Sequence, residues 1–175
     1  VYKRQYLGSY DFAGQFQQSP APAEGGILKK KWFRVYTKEH YPDFQDVIQS
    51  WDTAISDSPN AAYSACTTWG IFLDKYNHLN FMLLGLWRGR VGFPELRDRA
   101  KRLFKNYKDT KTEPPKNKAQ YSVSRCIVEA KATGDPLIRD LKLAGINAIG
   151  FMPKGDKTSR VQLVAPLIES GVIHL

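Results

Sequence analysis

The chain has 175 residues, 42% of them hydrophobic, which is enough for one buried core and too little for two domains of ordinary size. No apolar run approaches the ~18 residues of a membrane span and no signal peptide opens the chain, so a soluble protein rather than a membrane protein is expected. The 26 Lys and Arg residues outnumber the 17 Asp and Glu residues, and the resulting formal charge of +9 favours nucleic acid as a partner.

The first 45 residues differ in composition from the rest of the chain. They are rich in Gln, Pro, Gly and aromatic residues, which is typical of an extended arm or linker, whereas residues 46–175 carry the apolar patterns of a folded domain. The chain opens on Val1 and closes on the apolar Leu175. We therefore expect both ends to be boundaries within a longer protein.

Three apolar runs open the folded part: Asp46 to Thr53, Ala62 to Leu73, and His78 to Arg88. All three are rich in Val, Ile, Leu and aromatic residues, as strands are. The turn from Asp74 to Asn77 joins the second run to the third at hairpin distance. The pattern predicts three consecutive antiparallel strands.

The second half of the chain alternates helical and strand patterns. After Pro94, apolar residues recur at helical spacing up to Tyr107 with basic residues between them, which predicts an amphipathic helix with a basic outer face. The following elements are predicted in order: a Lys- and Pro-rich loop (108–118), a strand (121–128), a helix with Asp135 as N-cap and Gly145 past its end, a strand (146–152), a helix bent by Pro166 (158–170) and a short strand (172–175). This order resembles an RNase H-like core, an α/β fold whose mixed β-sheet has three antiparallel strands followed by parallel strands and is flanked by helices.

Two acidic residues end apolar strands. Asp52 closes the first strand and Glu129 closes the fourth. In an RNase H-like core these strands are neighbours, so we expect the two carboxylates to face each other. Divalent metal ions bridged by carboxylates can hydrolyse phosphodiesters, and Mg²⁺ prefers oxygen ligands. Each acid could instead cap a strand or turn, and it is their paired position that favours a metal site.

Several segments resemble the nuclease domain of bacteriophage terminase large subunits. The stretch from Phe16 to Gly26 resembles the linker before that domain, and Ser50 to Ala54 resembles its first catalytic strand. The family's second acidic motif is similar to the segment of this chain that contains Val128, Glu129, Lys131 and Gly134. The family's basic turn before the last helix resembles the segment with Lys154, Lys157 and Arg160. The similarity follows the expected order over essentially the whole chain.

The resemblance implies a metal-dependent endonuclease, with Asp52 and Glu129 as catalytic ligands of two Mg²⁺ or Mn²⁺ ions, that cuts concatemeric double-stranded viral DNA during packaging. It further implies an ATPase domain before this chain, and the terminase small subunit and the portal protein as partners. The expected location is the cytoplasm of an infected bacterium, or of one that carries a prophage.

This sequence departs from the family pattern at two points. Ala62 precedes Tyr63, where many relatives carry an acid, and the family's third catalytic aspartate is expected beyond Leu175. The C-terminal end of the domain is therefore expected to be truncated here. Asp57 and Asp156 could supply a third carboxylate, although both are typical of exposed turns.

Basic residues are the candidates for DNA contact. Lys157 and Arg160 precede or begin the last helix, and we expect them near the acids, where they could hold the scissile phosphate. The other candidates, expected to follow the phosphate backbone, are Lys154, Lys131, Arg88, Arg90, Arg102 and Lys105. A solvated helix face explains any one of the helical residues equally well.

Two other functions remain compatible with the sequence. The first is another RNase H-like nuclease, such as a junction resolvase or a transposase core, which a preceding ATPase would exclude. The second is a DNA-binding module without catalysis, suggested by the missing third acid and by Ala62.

The remaining reactive side chains are assigned structural roles. Cys66 and Cys126 lie in strand-like runs without a C-x-x-C partner, which predicts buried thiols and neither a disulfide framework nor a zinc site. Trp51 should point into the core, because strand side chains alternate and its neighbour Asp52 points the other way. The histidines show no ligand spacing.

Overall fold

The structure is a computed structural model that describes residues 27–36, 42–54, 62–105, 122–130 and 134–175. The chain divides into two compact units, residues 38–153 and residues 1–37 together with 154–175. Several predictions fall outside the described residues: most of the 1–45 arm, the 108–118 loop, Asp57 and Lys131.

Five strands form a sheet within the described part of residues 38–153: β1 (Asp46–Asp52), β2 (Ser64–Leu73), β3 (Leu79–Gly89), β4 (Arg125–Glu129) and β5 (Ala148–Phe151). They lie in the order β5-β4-β1-β2-β3. The first three strands pair antiparallel, β4 pairs parallel to β1, and β5 pairs parallel to β4. The predicted RNase H-like mixed sheet is therefore confirmed.

The turn between β2 and β3 depends on Asp74. Its carboxylate accepts hydrogen bonds from the backbone N–H groups of His78 (2.9 Å) and Tyr76 (2.8 Å). These bonds, led by the one from His78, hold the pKa of Asp74 below its usual value. Asn77 takes the left-handed conformation at φ 66°, which Asn tolerates better than most residues. Local turn chemistry thus accounts for the hairpin.

Two helices cover one face of this sheet, α1 (Phe93–Lys105) and α2 (Gly134–Leu143). In α1 the residues Leu96, Ala100 and Leu103 are fully buried, at the helical spacing read from the sequence. They share one apolar cluster with Trp51 of β1 and with Leu137 and Leu141 of α2, among others. One face of the sheet is therefore core, and Trp51 lies in it as predicted.

The end of α2 explains why β5 is shorter than predicted. Gly145 has φ 75°, and its N–H donates to the carbonyl of Lys142 (3.0 Å). The N–H of Ile146 donates to the carbonyl of Leu141 (2.9 Å), which completes a Schellman motif. Ile146 thus belongs to the helix cap, and the strand begins only at Ala148.

Some other predicted boundaries were wrong by a few residues. The second helix begins at Gly134, so Asp135 lies in its first turn rather than at the N-cap. The fourth strand begins at Arg125 and not at residue 121. There, Arg125 donates to the carboxylate of Asp46 (2.7 Å), and the N–H of Ser124 donates to the carbonyl of Val47 (2.8 Å). These contacts tie the start of β4 to β1.

The smaller unit contains a short 3₁₀ helix (Lys30–Trp32), α3 (Lys157–Glu169) and β6 (Ile173–His174). Asp156 is the N-cap of α3, and its carboxylate accepts from the hydroxyl (2.6 Å) and the backbone N–H (3.0 Å) of Ser159, which lowers its pKa. The backbones of Arg34 and His174 form an isolated parallel β-bridge. Burial, followed by the charge of Arg34, lowers the pKa of His174.

No helix in the described part of the chain is long and apolar enough to cross a membrane.

Candidate functional site

Asp52 and Glu129 end two neighbouring parallel strands, β1 and β4. In the register of this pair Trp51 lies beside Val128, so the next residue of each strand, the acid, also lies beside its counterpart. Adjacent strands are about 4.8 Å apart, and residues in register point to the same face. The two carboxylates are therefore neighbours at the same end of the sheet.

The acids face away from the core. Trp51 and Val128 are almost completely buried against α1 and α2, at 1% and 0% exposure. Because side chains alternate along a strand, Asp52 and Glu129 must project from the opposite face of the sheet. Asp52 is exposed there and Glu129 is half-buried. Among the described residues, both carboxylates therefore lie outside the buried core.

Ser64 anchors the chain that follows Asp52. Its buried hydroxyl accepts a hydrogen bond from the N–H of Ala54 (3.0 Å) and donates one to the carbonyl of the same residue (2.7 Å). Two bonds to one residue's backbone hold the end of β1 against the start of β2. The position of Asp52 is therefore supported from the next strand.

Gly134 supports Glu129 by having no side chain. A Cβ atom at this position would overlap the carbonyl oxygen of Glu129. The N–H of Ala130 donates to the carbonyl of Phe151 (2.8 Å), which continues the β4–β5 pairing past the acid. The start of α2 thus packs directly against the backbone that carries Glu129, and only glycine permits this approach.

A metal ion of the kind that the resemblance implies would find two carboxylates here. Ionised carboxylates are oxygen acceptors that suit Mg²⁺ or Mn²⁺, and two like charges in adjacent positions repel each other unless a cation lies between them. Within the described residues, however, no group of three or more His, Cys, Asp and Glu side chains could hold a metal ion. The pair fits part of a metal site and does not complete one.

Two of the predicted DNA-contacting residues lie on the same face as the acids. Ala65 of β2 pairs with Asp52 on one side and with Arg88 of β3 on the other, so these three residues share one level and one face of the sheet. Arg90 follows two positions later, and both guanidinium groups lie over the ring of Tyr63. Asp52, Glu129, Arg88 and Arg90 are therefore brought together on a single surface.

Comparison with known proteins gives matches among solved structures only: no family model and no curated protein matches. The large terminase of a thermophilic bacteriophage superposes with a TM-score of 0.55 at 14% identity, over 85% of this chain and 32% of that one. The large terminase nuclease of the thermophilic phage G20c with bound magnesium gives 0.54 at 17% identity, over 87% and 75%. The same nuclease with bound zinc gives 0.52 at 15% identity, over 82% and 76%.

The fold is that of the large terminase nucleases. The chain spans about a third of the first of these terminases, 32% of its length, and most of the G20c nuclease domain. At these identities the likeness concerns the terminase nuclease fold alone, and it leaves the role of each side chain to be argued from geometry.

Within the terminase nuclease fold, Arg102 and Lys105 do not lie with the acids. Both are exposed in the last turn of α1, whose buried residues pack on the core face of the sheet. They therefore lie on the opposite side of the sheet from Asp52 and Glu129. An amphipathic pattern identifies which face of a helix is exposed, but it does not tell which side of the sheet the helix covers.

The remaining predicted site residues belong to the smaller unit or lie outside the described residues. Lys154 and Lys157 are exposed, and Arg160 is half-buried in the first turns of α3. Asp156 has the N-cap role already described, and Lys131 lies outside the described residues. Their part in binding DNA stays a prediction.

Tyr63, Ser64 and Gly134 were not recognised from the sequence as supporting residues. A signal existed for Tyr63, because a hairpin closed at Asp74 to Asn77 pairs the end of β3 with the start of β2. That register sets Arg88 and Arg90 opposite the segment that begins at Tyr63. Ser64 and Gly134 act through contacts that no local pattern reveals.

Proposed function

We propose that this chain is the nuclease domain of a phage terminase large subunit and that Asp52 and Glu129 hold divalent cations, Mg²⁺ or Mn²⁺, against a DNA phosphodiester. The observation that carries the proposal is the register of β1 and β4, in which the two acids end neighbouring parallel strands on one face. The likeness to terminase nucleases that are described with bound magnesium and zinc supports the choice of chemistry.

The roles of the chain's own residues follow from their position. Asp52 and Glu129 would bind the cations through carboxylate oxygens, and Ser64 and Gly134 would keep the two strand ends in place. When bound, divalent ions supply Lewis acidity that activates a water molecule and stabilises the leaving oxygen. A third acid, which the resemblance predicts beyond Leu175, would complete the ligand set; Asp57 is the alternative within this chain.

The biological setting is part of the same proposal. The substrate would be double-stranded, concatemeric viral DNA cut during genome packaging in the cytoplasm of a bacterial host. An ATPase domain of the same polypeptide, the terminase small subunit and the portal protein would be the partners. The net charge of +9 suits a DNA substrate.

Metal binding and plasmid cleavage test the proposal together. We expect Mn²⁺ titration by calorimetry to detect binding to the chain, and we expect Asp52→Asn and Glu129→Gln each to abolish it. Cleavage of supercoiled plasmid in Mg²⁺ or Mn²⁺, measured also on a longer chain that includes the predicted third acid, should slow by about 100-fold or more in either variant, since several kcal/mol of transition-state stabilisation would be lost.

Asp98→Asn is the matched control, because this aspartate is exposed on α1, beyond the core face of the sheet. It should bind metal and cut as the parent does. Equal cleavage by Asp52→Asn and the parent would refute the assignment. Tight DNA binding without cleavage by the longer chain would favour the second candidate, a DNA-binding module without catalysis, which the lack of a three-acid group in the described residues also favours.

A further inference from the structure

Tyr63 lies between two arginine side chains. The guanidinium carbon of Arg88 is 3.6 Å from the centroid of the Tyr63 ring, and that of Arg90 is 4.0 Å from the same point. Both distances are well inside the ~6 Å range within which a cation is attracted to an aromatic face. One ring therefore contacts two positive charges.

The two guanidinium groups must stack on opposite faces of the ring. Nonbonded carbon atoms approach favourably to about 3.5 Å, so a guanidinium carbon 3.6 Å from the centroid stands almost directly above one face. A second group at 4.0 Å would overlap the first if it shared that face. The result is an Arg–Tyr–Arg stack at the edge of β2 and β3.

The stack lies on the face of the sheet that carries the two acids. Arg88 and Asp52 are both paired with Ala65, on either side of β2, so two strand spacings, about 10 Å, separate their backbones. Arg88 and Arg90 are exposed, and the Tyr63 side chain keeps 39% of its surface accessible. The stack is therefore open to the same approaching ligand as the acids.

We propose that Tyr63, Arg88 and Arg90 form a phosphate clamp, which binds the DNA backbone beside the bond that is cut. The inference rests on the proposed nuclease function. Stacking engages the flat face of a guanidinium, whereas its N–H donors lie in the plane and point outward, in the geometry that binds a phosphate bidentately. Tyr63 is a positioning residue, since its ring offsets the repulsion between two neighbouring cations.

Distance determines which phosphate the clamp takes. The backbones of Arg88 and Asp52 lie about 10 Å apart, and a guanidinium held in the stack on Tyr63 is not extended toward the acid pair. It would instead contact a flanking phosphate of the same strand and align the backbone across the sheet. The clamp therefore contributes to DNA affinity and to the position of the DNA strand along the sheet, and it does not take part in the chemical step.

Binding measured without cleavage tests the clamp. A fluorescently labelled duplex is titrated with the chain in Ca²⁺ buffer, and fluorescence anisotropy is recorded from 50 to 200 mM salt. Arg88→Gln and Arg90→Gln should each reduce the steepness of the plot of log affinity against log salt by about 0.9. Between 50 and 200 mM salt, the affinity of each variant should therefore fall about 3.5-fold less than that of the parent. Arg139→Gln removes the same charge from an exposed position on α2 and should leave the slope unchanged.

Variants of Tyr63 distinguish loss of the stack from loss of charge, because they change the ring and leave both arginines in place. Tyr63→Leu keeps both arginines and removes the ring, and we expect affinity to fall and the salt slope to drop by up to about 0.9, as the loss of one phosphate contact would cause. Tyr63→Phe keeps the ring and should restore the parent affinity. Circular dichroism of both variants separates a folding defect from a lost contact.

The outcomes keep the clamp and the nuclease assignment apart. Unchanged slopes for both arginine variants, or no duplex binding by the parent, would overturn the clamp even if cleavage still required Asp52. Reduced slopes together with cleavage that survives Asp52→Asn would support the clamp and overturn the nuclease assignment. Failure of Tyr63→Phe to restore binding would show that the ring does not position the arginines.

Discussion

Gln49 is a polar side chain inside an apolar core. Its amide nitrogen donates to the carbonyl of Leu103 (3.0 Å) and to Thr68 (3.4 Å), and its amide oxygen accepts from Trp51 (3.4 Å) and Cys126 (3.5 Å). We expect Gln49→Leu to destabilise the fold by about 1–3 kcal/mol for each buried group left without a partner, because it fills the space and satisfies none of them. Urea unfolding followed by tryptophan fluorescence measures the loss.

Ser50→Ala is the control for this prediction, since Ser50 is the next residue of β1 and is exposed on its other face. It should change the free energy of unfolding by less than about 0.5 kcal/mol. A Gln49→Leu variant as stable as the parent would mean that the four contacts contribute nothing net.

At the scale of elements, the start of α2 controls where β4 presents its acid. Gly134→Ala introduces a Cβ that overlaps the carbonyl oxygen of Glu129, and this obstructing group is backbone, which has little room to adjust. We expect this variant to lose stability and also to bind Mn²⁺ several-fold more weakly than the parent, as measured by calorimetry. Gly145→Ala tests the specificity of the effect, because Gly145 ends the same helix at φ 75° and an added Cβ would meet no atom within 4 Å there. It should cost about 1–2 kcal/mol through strain alone and leave metal affinity unchanged.

Metal affinity that falls equally in both glycine variants would trace the effect to general destabilisation of α2. In that case the contact between Gly134 and Glu129 would have no particular role in the site.

At the scale of the whole molecule, the two thiols report on opening of the core. Cys66 and Cys126 are buried on strands to either side of β1, and burial raises the pKa of both, that of Cys126 to about 12. A raised pKa keeps a thiol neutral at pH 8, and only the thiolate reacts with iodoacetamide. We therefore expect negligible labelling of the native chain at pH 8. In urea, the labelling rate, measured by mass spectrometry, should rise with the population of opened molecules.

Rapid labelling of both thiols in native buffer would contradict this. A disulfide is also not expected, because one whole strand separates β2 from β4 and the Cα atoms of a disulfide are rarely more than about 6.8 Å apart.

Much of the fold was readable from local patterns. Apolar alternation, the Asp74 turn and the spacing of Leu96, Ala100 and Leu103 depend on backbone sterics and on which residues can be buried, and these act between near neighbours. Asp52 and Glu129 stood out for the same reason, as charges that end apolar runs. Short elements were less accurate: the Schellman cap at Ile146 shortened β5, since hydrogen bonds at a helix end can take over residues with strand propensity.

Other features arise from contacts between distant segments. The parallel register of β1 and β4 makes Asp52 and Glu129 neighbours, and the packing of α1 on the core face separates Arg102 from them. The Arg–Tyr–Arg stack likewise requires the pairing of β2 with β3. A sequence pattern reports the periodicity of one segment at a time, whereas the partner, the register and the covered face are chosen when many segments bury their apolar surfaces together.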